Sequence, residues 1–235
     1  MTECYYLNDH LYLQNGCTYL EEGSNKILVQ KHNWHRCLKD IGWKKLPRKW
    51  ITELNKLSTD KEKNSLYGIL SCPGDGDCLF HSIANALNES QDFLSFNTGK
   101  DIRKEISESI TEDAFDMIIE CYRAMKDASD FHDSWDPHEI TDLSQFKQCL
   151  CEGGHEYWGD SLLLQLISSY YDMNILILSN DVGPYPMMTE FHKEKPTICL
   201  WFDENHFELI GHFNGQRMIS YFTTLPKEIQ SLYNL

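Results

Sequence analysis

The chain has 235 residues, 41% of them hydrophobic and 12% aromatic, which excludes a disordered polymer and supports one well-buried domain with an extension. The net charge of −15 is uneven. Residues 1–65 hold 11 Lys and Arg against 8 Asp and Glu, whereas residues 66–235 hold 10 against 28, a balance that repels nucleic acid and favours basic partners. No apolar run is long enough to span a bilayer, and MTECYYLNDH lacks the basic-then-apolar pattern of a secretory signal. Nine irregularly spaced cysteines in such a chain imply reduced thiols and a cytoplasmic or nuclear setting.

Residues 1–32 give short strand-like pieces, such as 4–7 and 27–29, divided by turn signals at Asn15-Gly16 and at residues 22–25. Trp34, Trp43 and Trp50 follow among Lys44, Lys45, Arg48 and Lys49. Pro47 starts a helix whose Trp50, Leu54 and Leu57 form an apolar stripe. The plain reading is a small piece that packs its tryptophans on the main domain; no motif supports a basic nucleic-acid patch. Residues 59–64 read as a linker, so the predicted division is an extension over 1–65 and a second domain over 66–235.

Residues 71–87, SCPGDGDCLFHSIANAL, form the centre of the chain. A Pro-Gly turn leads through Gly74 and Gly76 to Cys78 and a helix that is apolar over most of its girth, and hence buried. A thiol in the first turn of a helix meets unpaired N–H groups and partial positive charge, which favour its thiolate. The backbone of Asp75, Gly76 and Asp77 can aim N–H groups at a developing oxyanion. A calcium loop is excluded here, because Leu79 stands where a third ligand belongs.

A polar loop over 88–99 precedes predicted helices over 100–110, 112–127 and 142–152, the last ended by Gly153-Gly154. Cys149, Cys151 and His155 are poorly spaced for zinc and lack a fourth ligand nearby. Asp160 caps a helix over 161–171 with Leu162, Leu163, Leu166, Ile167 and Tyr170 inward. Strands over 174–178, 197–202, 206–213 and 218–222 are expected as an antiparallel meander, before a final helix over 227–233.

Asp75-Gly76-Asp77-Cys78-Leu79-Phe80-His81 resembles the D-G-x-C-L-F nucleophile motif of the OTU (ovarian tumour-type) cysteine proteases. Residues 156–160, EYWGD, resemble that family's W-G segment, and residues 205–210, NHFELI, its C-terminal histidine motif. The three stand in the family's order and span residues from about 66 to 222; nothing before residue 60 belongs to the likeness. The resemblance implies an α/β (α+β), papain-like fold with a small, antiparallel-rich central sheet flanked by helices.

A cysteine nucleophile needs a base, and the base an orienting partner. His81, His206 and His212 compete for the first role. His81 points along the flank of its own helix. His206 begins a strand beside loops, where the family motif places its base, and is preferred. The orienter is left between Glu208, two residues on along the same strand face, and Asp75 in the nucleophile loop.

The resemblance implies a deubiquitinase that cleaves after the terminal glycine of ubiquitin or polyubiquitin, with no metal or organic cofactor and no membrane partner. Its alternatives are a catalytically silent ubiquitin-binding module and a hydrolase for another ubiquitin-like modifier. An acidic groove would suit a basic ubiquitin tail.

Overall fold

A computed structural model of the protein describes residues 4–58, 65–90, 96–185 and 189–235; the linker expected over 59–64 lies outside them. The chain starts with four strands: β1 (Cys4–Tyr6), β2 (Leu11–Gln14), β3 (Cys17–Glu22) and β4 (Asn25–Leu28), paired in that order as an antiparallel sheet. Asn15 and Gly16, at φ 53° and 74°, make the tight β2–β3 hairpin, since that turn needs two left-handed residues.

The helix α1 (Trp34–Cys37), the strand β5 (Trp43–Lys45) and the helix α2 (Arg48–Leu57) follow. The second sheet has strands on both sides of the residue-65 boundary read from charge. β5 pairs with β6 (Tyr67–Leu70) and is the edge of the second sheet. That sheet also contains β7 (Asn174–Ser179), β8 (Gly183–Pro184), β9 (Thr197–Asp203) and β10 (His206–Phe213), in the order β5-β6-β10-β9-β7-β8. The short β11 (Met218–Ile219) pairs with β10 and β12 (Tyr221–Phe222) with β9.

Helices cover both faces. On one side α3 (Cys78–Ser90), α4 (Gly99–Ser109), α5 (Glu112–Asp127), α6 (Leu143–Glu152) and α7 (Ser161–Tyr170) bury Leu79, Phe80, Ile83, Ile102, Ile119 and Ile167 with Phe207 and Leu209 of β10. On the other, Trp50 and Leu54 of α2 and Ile229 of α8 (Lys227–Tyr233) pack with Tyr67, Leu176, Trp201 and Ile210. Alternation along β10 sends Leu209 to the first layer and Ile210 to the second.

Two expectations need correction. The late strands are not a simple meander: β7 and β9 run parallel, Asn174 opposite Thr197 and Ser179 opposite Phe202. Both are apolar on two faces, so their sequences carry no sign of direction. In α7 the buried apolar residues are Leu163, Leu164 and Ile167, whereas Tyr170 is exposed, because the helix is turned slightly from the expected stripe.

The three tryptophans dock as expected, and each does so over a glycine. A Cβ at Gly68 would stand 2.7 Å from the Trp34 ring, and one at Gly211 2.5 Å from that of Trp43. At Gly183 the Trp50 ring would be 3.3 Å away. No helix among the described residues is long and apolar enough to cross a membrane.

Candidate active site

Cys78 is the first residue of α3, and its sulfur is buried against the sheet. The loop before it bends at Gly76, whose φ of +90° suits glycine and strains other residues. A buried ion pair anchors this loop. Asp77 Oδ1 accepts from Arg103 Nε at 2.7 Å and from Gly154 N–H at 2.9 Å. The same guanidinium donates to the carbonyls of Leu150, Gly76 and Tyr157 and lies over the Phe80 ring. Three segments, at 76–80, Leu150 and Tyr157, thus converge on one Arg side chain that is 1% exposed. The EYWGD segment closes the same corner. A Cβ at Gly159 would stand 2.6 Å from Leu79, so glycine lets that backbone reach the residue after Cys78. Asp160 caps α7 and accepts from Tyr122 Oη.

The electrostatics of the thiol differ from the helix-tip expectation. Burial pushes the Cys78 thiol above its ordinary pKa, outweighing the N–H groups of Phe207, Leu79 and Cys78 itself, which act in the opposite direction.

His206 begins β10 and is half-buried. The next residue joins it to Cys78: Phe207 N–H donates to Cys78 Sγ at 3.4 Å. Cys72 lies between them. Its sulfur is 3.5 Å from His206 Nε2, 3.0 Å from Phe207 O and 3.7 Å from Cys78 O. The structure therefore brings the Cys78 and His206 segments into one corner. His81 is occupied with Asp75, and His212 sits at the far end of β10 against Tyr67.

Neither carboxylate expected to orient the base bonds to it. Glu208 Oε1 is paired with Lys44 Nζ of β5 at 2.8 Å. Asp75 Oδ2 meets His81 Nε2 at 3.1 Å, while its Oδ1 accepts from Asp77 N–H at 3.0 Å. Burial alone would raise the Asp75 carboxyl, but the bonds from His81 and Asp77 N–H win and hold it below its ordinary value. Of the expected oxyanion donors, Asp77 N–H is taken by Asp75, and the Asp75 N–H faces its own carboxylate. Gly76 N–H has no partner among the described residues. Asp75, Asp77 and His81 group their ligand atoms within 4.8 Å, but Arg103 already neutralises Asp77 and the other two bond to each other.

Arg103 and Cys72 were not singled out from sequence. Arg103 stands beside Ile102 on a helix whose spacing reads as a surface stripe; a cation next to the apolar row was the available sign. Cys72, six residues before Cys78 and two beyond the end of β6, offered only its position.

A family model described as OTU-like cysteine protease matches residues 73–213. No curated protein matches the chain by sequence. Among solved structures, the chain is similar to an ovarian tumor (OTU) domain in complex with ubiquitin, with 15% identity over 71% of this chain and 80% of that one, at a TM-score of 0.46. It is also similar to the Hazara virus OTU bound to ubiquitin (16% identity, 66% of this chain, 82% of that one, TM-score 0.39). A third is an OTU deubiquitinase from Wolbachia pipientis wMel (12% identity, 71% and 96% coverage, TM-score 0.44).

Proposed function

The chain belongs to the OTU-like cysteine protease family, and on that premise we propose that it is a deubiquitinase with Cys78 as nucleophile and His206 as general base. The observation that carries the reading is the contact of Phe207 N–H with Cys78 Sγ, which sets the base's strand against the nucleophile's helix tip.

In this reaction His206 takes the Cys78 proton as the sulfur attacks the carbonyl carbon of ubiquitin's terminal glycine. The oxyanion forms beside Gly76 N–H and the first-turn amides of α3. His206 then returns the proton to the departing lysine amine, leaving a thioester. Water, deprotonated by the same imidazole, releases the glycine carboxylate and restores the thiol. The raised thiol pKa supports proton transfer during attack rather than a standing ion pair. The acidic balance of residues 66–235 supports a partner with a basic tail.

The full chain should couple covalently to a ubiquitin propargyl probe and cleave ubiquitin conjugates, whereas Cys78→Ala should do neither and remain folded. Cleavage by Cys78→Ala would remove Cys78 from the role. The pairing of Glu208 and Asp75 away from His206 favours one second reading, a silent ubiquitin-binding module; ubiquitin binding without probe coupling would select it. Coupling to probes of another ubiquitin-like modifier, but not ubiquitin, would redirect the substrate.

A further inference from the structure

The base candidate has one side-chain hydrogen-bond partner among the described residues, and it is a thiol. Cys72 Sγ lies 3.5 Å from His206 Nε2. The nearby carboxylates are held elsewhere, Glu208 by Lys44 and Asp75 by His81. Where β6 ends at Leu70, Phe207 presents its backbone to two sulfurs instead of a strand partner. Its N–H donates to Cys78 and its C=O accepts from Cys72.

The proton positions follow from this geometry. Burial pushes the Cys72 thiol up to about 12, so it keeps its single proton at neutral pH. Phe207 O can only accept, and at 3.0 Å from the sulfur it takes that proton as its hydrogen bond. The sulfur therefore faces the ring with a lone pair. A neutral imidazole has one N–H and one bare nitrogen, and the nitrogen beside a lone pair is the one that carries hydrogen.

We propose that Cys72 is the positioning residue of this site: its sulfur accepts from His206 Nε2–H, holds the ring in that tautomer and leaves Nδ1 bare to take the Cys78 proton. The proposal rests on the reading of His206 as base. It gives a neutral thiol the orienting part that a carboxylate or a side-chain amide plays in other nucleophile–histidine sites. A thiol fixes the ring without placing a full negative charge beside the imidazolium that forms during attack.

The test uses the full chain with ring-15N histidine, with His206→Gln to assign its signals, read in the neutral form of the imidazole. Wild type should show hydrogen on Nε2 and none on Nδ1. Cys72→Ala should populate the Nδ1–H form. It should also lower kcat on a fluorogenic ubiquitin substrate by about 10- to 100-fold, with KM within about twofold, the range for losing a partner that orients an imidazole. Cys72→Ser, whose hydroxyl can both donate and accept, should restore the tautomer and most of kcat, and controls for any loss of fold in the alanine variant. A wild-type ring with hydrogen on Nδ1, or a tautomer indifferent to both substitutions, would overturn the assignment. A ring that responds to Cys72 in a protein inert toward ubiquitin would leave this assignment standing and remove the proposed function. Turnover of ubiquitin with an indifferent ring would do the reverse.

Discussion

The two sides of the candidate site are built differently. On the nucleophile side, the loop before Cys78 is fixed by a buried guanidinium that reaches a carboxylate and three carbonyls from three segments. On the base side, His206 has the backbone ladder to β9 and one sulfur neighbour. One half resists displacement through charge-assisted bonds in a dry interior; the other depends on strand register and a soft, neutral contact. The contrast separates the two demands on such a site. On the proposed reading, the attacking atom needs a rigid approach, whereas the proton carrier needs freedom enough to serve the sulfur, the leaving amine and then water.

The largest test of this contrast is Arg103→Met. It leaves Asp77 charged and unpaired in the interior, so stability should fall by about 3–5 kcal/mol, measured by urea unfolding. A loss within about 0.5 kcal/mol, the usual effect of a surface change, would mean that the nucleophile loop is not anchored as described.

Next comes alkaline pH. Burial pushes the thiols of Cys72, Cys149 and Cys199 each up to about 12. In the unfolded chain a thiol ionises near about 8.5. Between those values the folded state binds more protons, so their contribution is complete below about pH 8.5 and is lost as pH rises toward 12. The thermal midpoint should therefore decline above about pH 8.5, and a rise there would refute the sign. Buried Tyr67 and Tyr171 act in the same direction.

The smallest expected effect sharpens the base side. Because Glu208 is tied to Lys44, Glu208→Gln should change kcat by less than about threefold. If this carboxylate oriented His206, losing its charge would cost orders of magnitude, as neutralising the aspartate of a serine-protease triad does. A loss beyond about a hundredfold would return Glu208 to that part and displace Cys72 from it.

Most of the elements were legible because each carries a local cause. Thr98 and Asp142 cap the helices expected near them, and β10 occupies the span read from its sequence. The meeting of the Cys78 and His206 segments was legible through their motifs. What failed depended on distant partners. The direction of β7 beside β9 is set by how the chain returns between them, and two strands buried on both faces do not encode it. Glu208 shares a strand face with His206, as alternation requires, but Lys44, 164 residues away in sequence, engages it. Arg103 looks like a surface cation until Asp77 of the nucleophile loop is placed beside it.

Lys44 has a consequence for anyone who isolates the family-matched part. It stands on β5, ahead of the segment that the family model matches, yet it neutralises a carboxylate two residues from His206. Cutting the chain at the motif boundary would strip an edge strand from the sheet and leave the Glu208 carboxylate without its cation. A minimal version would thus differ from the whole protein in its chemistry as well as its size, and its pH response would describe an artefact of the cut.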